Sequence, residues 1–182
     1  MLDNKDQKIK VERFKQTTGL CGPASLKILL SHFDKNYTEE QLAQLASSVA
    51  GLERGAGTEH EGLIKASKAV GGYVFAKEGG TIEELEYFIK KEKLPVIIGW
   101  FDRDNDHYSV LVSITEKNIV IVDPADDDLP DGKAGERWLE RETFPQIWFD
   151  FIGPEDKIVS WGWFMVVTFD KQKFTVNGGQ YY

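Results

Sequence analysis

The chain has 182 residues, 41% of them hydrophobic and 29% charged, with a formal net charge of -8 and a single cysteine. That length fits one domain over 1–182, with a core over about 11–169 between polar ends, and it needs no disulfide or structural metal to hold it. The acidic balance excludes a nucleic-acid or anionic-membrane surface. The lone cysteine excludes an internal disulfide and fits a reducing compartment. The N-terminus lacks the apolar core of a signal peptide and no run reaches membrane-span length, which predicts a cytoplasmic protein without a membrane span.

Val11 to Lys15 reads as a short strand or extended arm leading into Q-T-T-G-L-C-G-P-A-S, Gln16 to Ser25. Pro23 suits the first turn of a helix, and Ala24, Leu26, Ile28, Leu29, Leu30 and Phe33 continue it as a buried segment ending near Asp34-Lys35-Asn36. Thr38 with Gln41 forms a capping box for a second helix with Leu42, Leu45, Ala46 and Val49 on one face. Thr58 with Glu61 and Thr81 with Glu84 repeat that signature for two more helices, the first stopping at Gly71-Gly72. Tyr73 to Ala76 is a short strand between them.

From Leu94 the pattern turns to β. The runs L-P-V-I-I-G-W-F, H-Y-S-V-L-V-S-I and I-V-I-V-D-P, separated by D-R-D-N-D and E-K-N, predict an antiparallel meander. Asp126 to Gly135 reads as a polar loop, Arg137 to Glu140 as a strand, Thr143 to Trp148 as a short helix, Ile158 to Phe169 as a closing strand and Lys171 to Tyr182 as a tail. A helical half followed by a sheet half is an α+β domain.

The chemistry centres on Cys21. At a helix start, unpaired N–H groups and the helix dipole favour a thiolate. A cysteine nucleophile also needs a base, a group that orients the base, and donors for the oxyanion. His107 heads one strand and Asp123 ends the next. With the turn between them centred near position 116, His107 lies opposite about position 125, within diagonal reach of Asp123. Gln16, five residues before Cys21, supplies a side-chain amide that together with the Cys21 N–H suits an oxyanion hole, and Gly19 and Gly22 are expected to let substrate approach the backbone.

Those residues carry a resemblance. Q-x-x-x-x-C-G-P-A-S, then H-Y-S-V-L, then V-D-P-A is similar to the papain-like cysteine peptidases typified by the bacteriocin-leader processing domains that cut after double glycine. The likeness covers about Val11 to Phe149 and includes G-T-x-x-x-G-L, T-I-E-E-L and W-L-x-R-E-T-F. It implies a papain-like fold and peptide-bond hydrolysis of a peptide or protein substrate through an acyl-enzyme, with no metal or organic cofactor. It matches Cys21 to the nucleophile, His107 to the general base and acid, Asp123 to the residue that orients the imidazole and Gln16 to the oxyanion donor. Leu20 stands where transporter-borne members often carry an acidic residue, so double-glycine specificity is not implied. The same machinery also serves an acyltransferase or amidase acting on a small amide or thioester. A peptide-binding domain without turnover is the third reading, and retention of Cys21, His107 and Asp123 together weighs against it.

Other polar residues have simpler readings. His32 reads as a partly exposed helical residue, and His60, in T-E-H-E-G, as a solvated one. Asp102, Asp104 and Asp106 open like a calcium loop but lack its glycine and distal glutamate, so a solvated hairpin turn is expected, whose acidity would raise the His107 pKa or select basic substrates. Trp138, Trp148, Trp161 and Trp163 read as core or rim aromatics. The Gly-Gly pair at 178 has a second reading as a self-processing site.

Overall fold

The structure, a computed structural model, describes residues 8–51, 56–125, 135–153 and 157–182. The polar loop expected from Asp126 lies, up to residue 134, outside the described residues. Three helices come first: α1 (Cys21–Ser31), α2 (Glu39–Ala46) and α3 (His60–Ala69). They are followed by β1 (Tyr73–Lys77), then α4 (Ile82–Glu86), which runs into a π-helical turn. The meander is β2 (Val96–Asp102), β3 (Asn105–Ile114) and β4 (Asn118–Asp123), antiparallel throughout as expected.

Capping explains where helices begin. Thr38 accepts from the Gln41 N–H while the Gln41 side chain accepts from the Thr38 N–H, and Thr81 with Glu84 does the same for α4. Thr38→Ala is expected to destabilise the protein by about 1 kcal/mol, checked as a lower midpoint in chemical denaturation. The third box is a correction. Glu59, not Thr58, precedes α3 and makes no side-chain cap bond, because the Thr58 hydroxyl is taken by Ser48, 2.6 Å away. Val49 also differs: α2 stops at Ala46, with Ser47 in the left-handed region, and Val49 makes an isolated bridge to Gly57 instead of extending the helical face.

The later elements are β5 (Gly135–Glu140), β6 (Phe149–Ile152), β7 (Ile158–Trp161), β8 (Phe164–Thr168) and β9 (Gln180–Tyr181). The expected closing strand from Ile158 to Phe169 is therefore two strands in two sheets. β7 pairs with β6 in a two-stranded sheet, the chain turns at Gly162, and β8 enters the main sheet of order β5-β4-β3-β2-β8-β1-β9. A mostly apolar run hides such a turn, because Gly162 is its one local signal and the exposed β7 is as apolar in sequence as the buried β8. The helix expected at Thr143–Trp148 is a single 3-10 turn over Phe144–Gln146. The expected tail ends as β9 on the edge of β1, with Phe174 and Tyr181 against Phe75. Gly178 and Gly179 are thereby held at the sheet edge farthest from β4 and β5.

The core lies between the sheet and the helices. Leu26, Leu29 and Leu30 of α1, Leu63 of α3 and Phe88 are fully buried with Val96, Ile98, Val110, Val112 and Phe164 of the sheet. α1 packs on β2 and β3, and this contact sets the helix start beside the first residues of β3.

Candidate active site

The extended arm before α1 has no ladder of its own but is tied to the sheet at two points: Ile9 N–H donates to Val112 O, and Gln16 N–H donates to Pro124 O, both at 2.9 Å. The second bond places Gln16 next to the end of β4. The chain then turns at Thr17–Leu20 into α1, whose N-terminus has no side-chain cap. Cys21 is its first residue. Four positions on, the buried Ser25 hydroxyl donates to Tyr108 O at 3.0 Å, which pins α1 to β3 one residue beyond His107.

His107 is buried, and its Nε2 lies 2.6 Å from Asp123 Oδ1. The ladder register, Val110 with Val122 and Leu111 with Ile121, extrapolates to Ala125 opposite His107, as the sequence count predicts. Asp123 is 1% exposed. Its Oδ1 also accepts the Ala125 N–H at 2.9 Å, and its Oδ2 accepts from Arg137 Nη1 at 2.7 Å. Arg137 at the same time grips Asp102 with both terminal nitrogens, at 2.7 and 2.9 Å, and its guanidinium lies 4.8 Å from the centre of a Trp100 ring. Trp100 meets the His107 ring edge-on at 6.0 Å. The imidazole is thus held by a carboxylate that is itself held.

Cys21 acts on the His107 ring strongly enough to raise its pKa, and because Nε2 faces Asp123, Nδ1 is the nitrogen left for the sulfur. Burial on its own lowers the pKa of His107, but the hydrogen bond to Asp123 and the influence of the Cys21 sulfur outweigh it and raise it to about 10. The imidazolium is therefore the form held at neutral pH. Burial raises the Asp123 pKa, and the bonds from His107, the Ala125 N–H and Arg137 reverse this and lower it to about 2.

Gln16, Cys21 and His107 line one cleft of about 1010 Å³, while Asp123 stands behind His107. The four residues singled out in the sequence are thus neighbours. Gln16 Oε1 is buried with no hydrogen-bond partner among the described residues. The glycines flanking Cys21 have a packing role as well. A Cβ on Gly19, where φ is +79°, would run into the Gly51 carbonyl, and one on Gly22 into Thr58, so both allow close internal packing of α1 and its neighbours.

Sequence reasoning missed three side chains. Arg137 occupies the diagonal position from Asp123, since Asp123 pairs with Gly135 and Ile121 with Arg137; pairing the fourth and fifth strands in the sequence would have found it. His60, expected in solvent, is buried and bonds through Nε2 to Asp150 Oδ2 at 2.6 Å. These two residues lie far apart in the chain and carry no periodic signal. The acidic hairpin is also less solvated than expected, because Asp102 binds Arg137 and Asp106 Oδ1 accepts the Phe151 N–H at 3.0 Å. Among the described residues no group of three or more His, Cys, Asp or Glu is arranged to hold a metal ion, and no helix is long and apolar enough to cross a membrane.

A protein of Methanothermobacter thermautotrophicus is 32% identical over 127 residues, covering 70% of this chain and 75% of that protein. The solved C39-like peptidase of Bacillus anthracis superposes with a TM-score of 0.67 at 20% identity, over 92% of this chain and 100% of that one. A double glycine motif protease from an AMS/PCAT transporter, solved with its leader peptide, gives 0.57 at 23% identity over 90% and 94%. Both share the arrangement of N-terminal helices and antiparallel sheet seen here. Residues 9–152 match the Peptidase C39 family, and with that match over most of its length the chain belongs to this family of cysteine peptidases.

Proposed function

We propose that this chain hydrolyses peptide bonds with Cys21 as nucleophile, His107 as general base and acid, Asp123 as the residue that orients the imidazole, and Gln16 as oxyanion donor. The observation that carries the reading is the His107 ring bonded through Nε2 to a buried, doubly held carboxylate, in the cleft that it lines together with the only sulfhydryl in the protein. In that arrangement the proton rests on the imidazole and the sulfur attacks as thiolate. A tetrahedral oxyanion forms, stabilised by the Gln16 amide and the Cys21 N–H at the uncapped start of α1. His107 Nδ1 then protonates the leaving amine, and water attacks the thioester. Asp123 stays ionised throughout, as its lowered pKa requires.

Gln16→Ala is expected to lower kcat by about 10²–10³-fold while leaving KM within a few-fold, because the amide acts on charge that develops only after attack. The direct test is mass spectrometry of the protein quenched during turnover of an activated peptide ester. An acyl adduct on Cys21 that disappears with release of free acid supports hydrolysis. Release only when an amine or thiol is added would replace the peptidase reading with an acyl-transferring one.

A further inference from the structure

The cleft that Cys21 lines also contains a carboxylate that the proposed chemistry does not use. Asp150, on β6, is 3% exposed. One of its oxygens, Oδ2, bonds to His60 Nε2. The other, Oδ1, is buried and has no hydrogen-bond partner among the described residues. The pair is rigidly supported: His60 stacks on Trp163 with ring centres 3.9 Å apart and planes 10° from parallel, and meets Tyr108 edge-on at 5.9 Å. Gly99 of β2 lies directly beneath, and a Cβ there would collide with Asp150 Oδ2. The backbone has thus been brought as close to this carboxylate as a residue without a side chain allows.

A buried carboxylate oxygen without a donor is costly unless something supplies one. The surroundings favour a cation. The same cleft is lined by Glu59, Glu61, Asp102, Asp104 and Asp106 as well as Asp150, against Lys65 and Arg103. Several of these carboxylates already have partners, Asp102 in Arg137, Asp106 in the Phe151 N–H and Glu59 in the Gly153 N–H. Asp150 differs in having a buried oxygen left over. Tyr108, next to His107 in sequence and edge-on to His60, has its hydroxyl pKa raised, first by burial and then by the charges of Asp150, Cys21, Glu59 and Asp106, so all four of these groups act on one residue of the cleft.

We propose that Asp150 is the floor of a cation subsite in the Cys21 cleft, which takes the guanidinium or ammonium group of a basic side chain in the peptide substrate. In this subsite Asp150 Oδ1 receives the N–H donors, His60 holds Oδ2 and fixes the carboxylate plane, and the flanking acidic residues attract the charge from a distance. The name "substrate" for the bound group rests on the peptidase reading; the subsite itself does not.

The test is made on the full chain carrying Cys21→Ser, so that binding is read without turnover. Amide chemical shifts of Gly99 and Phe151 are followed by NMR during titration with N-acetyl-argininamide, with its neutral isostere N-acetyl-citrullinamide, and with alaninamide, which offers only a free α-amine. Saturable shifts with the arginine compound, at least tenfold weaker binding of the citrulline one, and at least tenfold loss of arginine binding in Asp150→Asn are expected. The asparagine keeps an oxygen for His60, and should it fail to fold, the arginine-to-citrulline comparison in the parent protein decides. Equal binding of the two isosteres, no saturable binding, or arginine binding untouched by Asp150→Asn would overturn the proposal. Alaninamide binding as tightly as the arginine compound would overturn its assignment to a side chain. Arginine binding in a protein whose Cys21 forms no acyl adduct would sink the peptidase reading and leave the subsite standing.

Discussion

Cys21→Ala is expected to reduce peptide hydrolysis by about 10⁴-fold or more, and His107→Ala to reduce it comparably, with the double variant no worse than either alone. The non-additivity follows from the geometry. In the proposed mechanism each residue is useful only through the other, since the imidazole supports the attacking sulfur and has no reacting partner without it. The same coupling is expected in a reaction that needs no substrate. Iodoacetamide at neutral pH should label Cys21 in the wild-type protein at least tenfold faster than in His107→Ala, because only the thiolate is alkylated and the neighbouring positive charge favours it. Equal labelling of the two proteins, with hydrolysis also unchanged, would remove Cys21 and His107 from the mechanism.

Asp123→Ala is expected to cost about 10²–10⁴-fold in kcat and about 3 kcal/mol of stability, near the lower end for breaking a buried charge pair because Arg137 keeps Asp102. The stability difference between wild type and variant has a defined pH window. His107 is raised from an ordinary 6.5 to about 10, so its share is fully present below 6.5 and is lost as pH climbs through about 10. Asp123 is lowered from 3.8 to about 2, so its share is present above 3.8 and is lost as pH falls through about 2. Both shifts describe one pair, whose contribution counts once. Urea denaturation of the two proteins should therefore differ most between about pH 4 and pH 6.5, with the difference shrinking as pH rises towards about 10 or falls towards about 2; a difference that does not vary with pH would mean that the loss is one of packing. Asp123→Asn should retain more activity than Asp123→Ala, since a doubly protonated imidazole donates from both nitrogens and an amide oxygen accepts as a carboxylate does.

The parts of the fold that were legible in the sequence are those set by local chemistry. Thr38 with Gln41 and Thr81 with Glu84 are self-contained capping boxes, and the three runs from Leu94 alternate over short turns that leave one register. From that register alone the meeting of His107 with Asp123 follows, because a hairpin converts sequence distance into position. What was not legible depends on contacts between distant segments. Thr58 has the residues of a cap, yet its hydroxyl goes to Ser48, a competition no local pattern reveals. Ile158 to Phe169 is mostly apolar, and the pairing of Phe149 with Trp161 and of Met165 with Ala76 and Ile97 separates it into strands of different sheets. His60 is ringed by polar neighbours in sequence but sits under Trp163 and Tyr108 in space.

The place of β8 between β2 and β1 has a consequence for how the protein comes into being. β1 and β2 are made early yet never touch as neighbours in the finished ladder. Each waits for Phe164 to Thr168, some seventy to ninety residues later in synthesis. A chain emerging from the ribosome has thus delivered Cys21, His107 and Asp123 long before the strand that closes the sheet behind them. Until β8 arrives, both waiting strands present open edges to mispairing; its insertion joins them and leaves the far edge of β1 for β9 to cover.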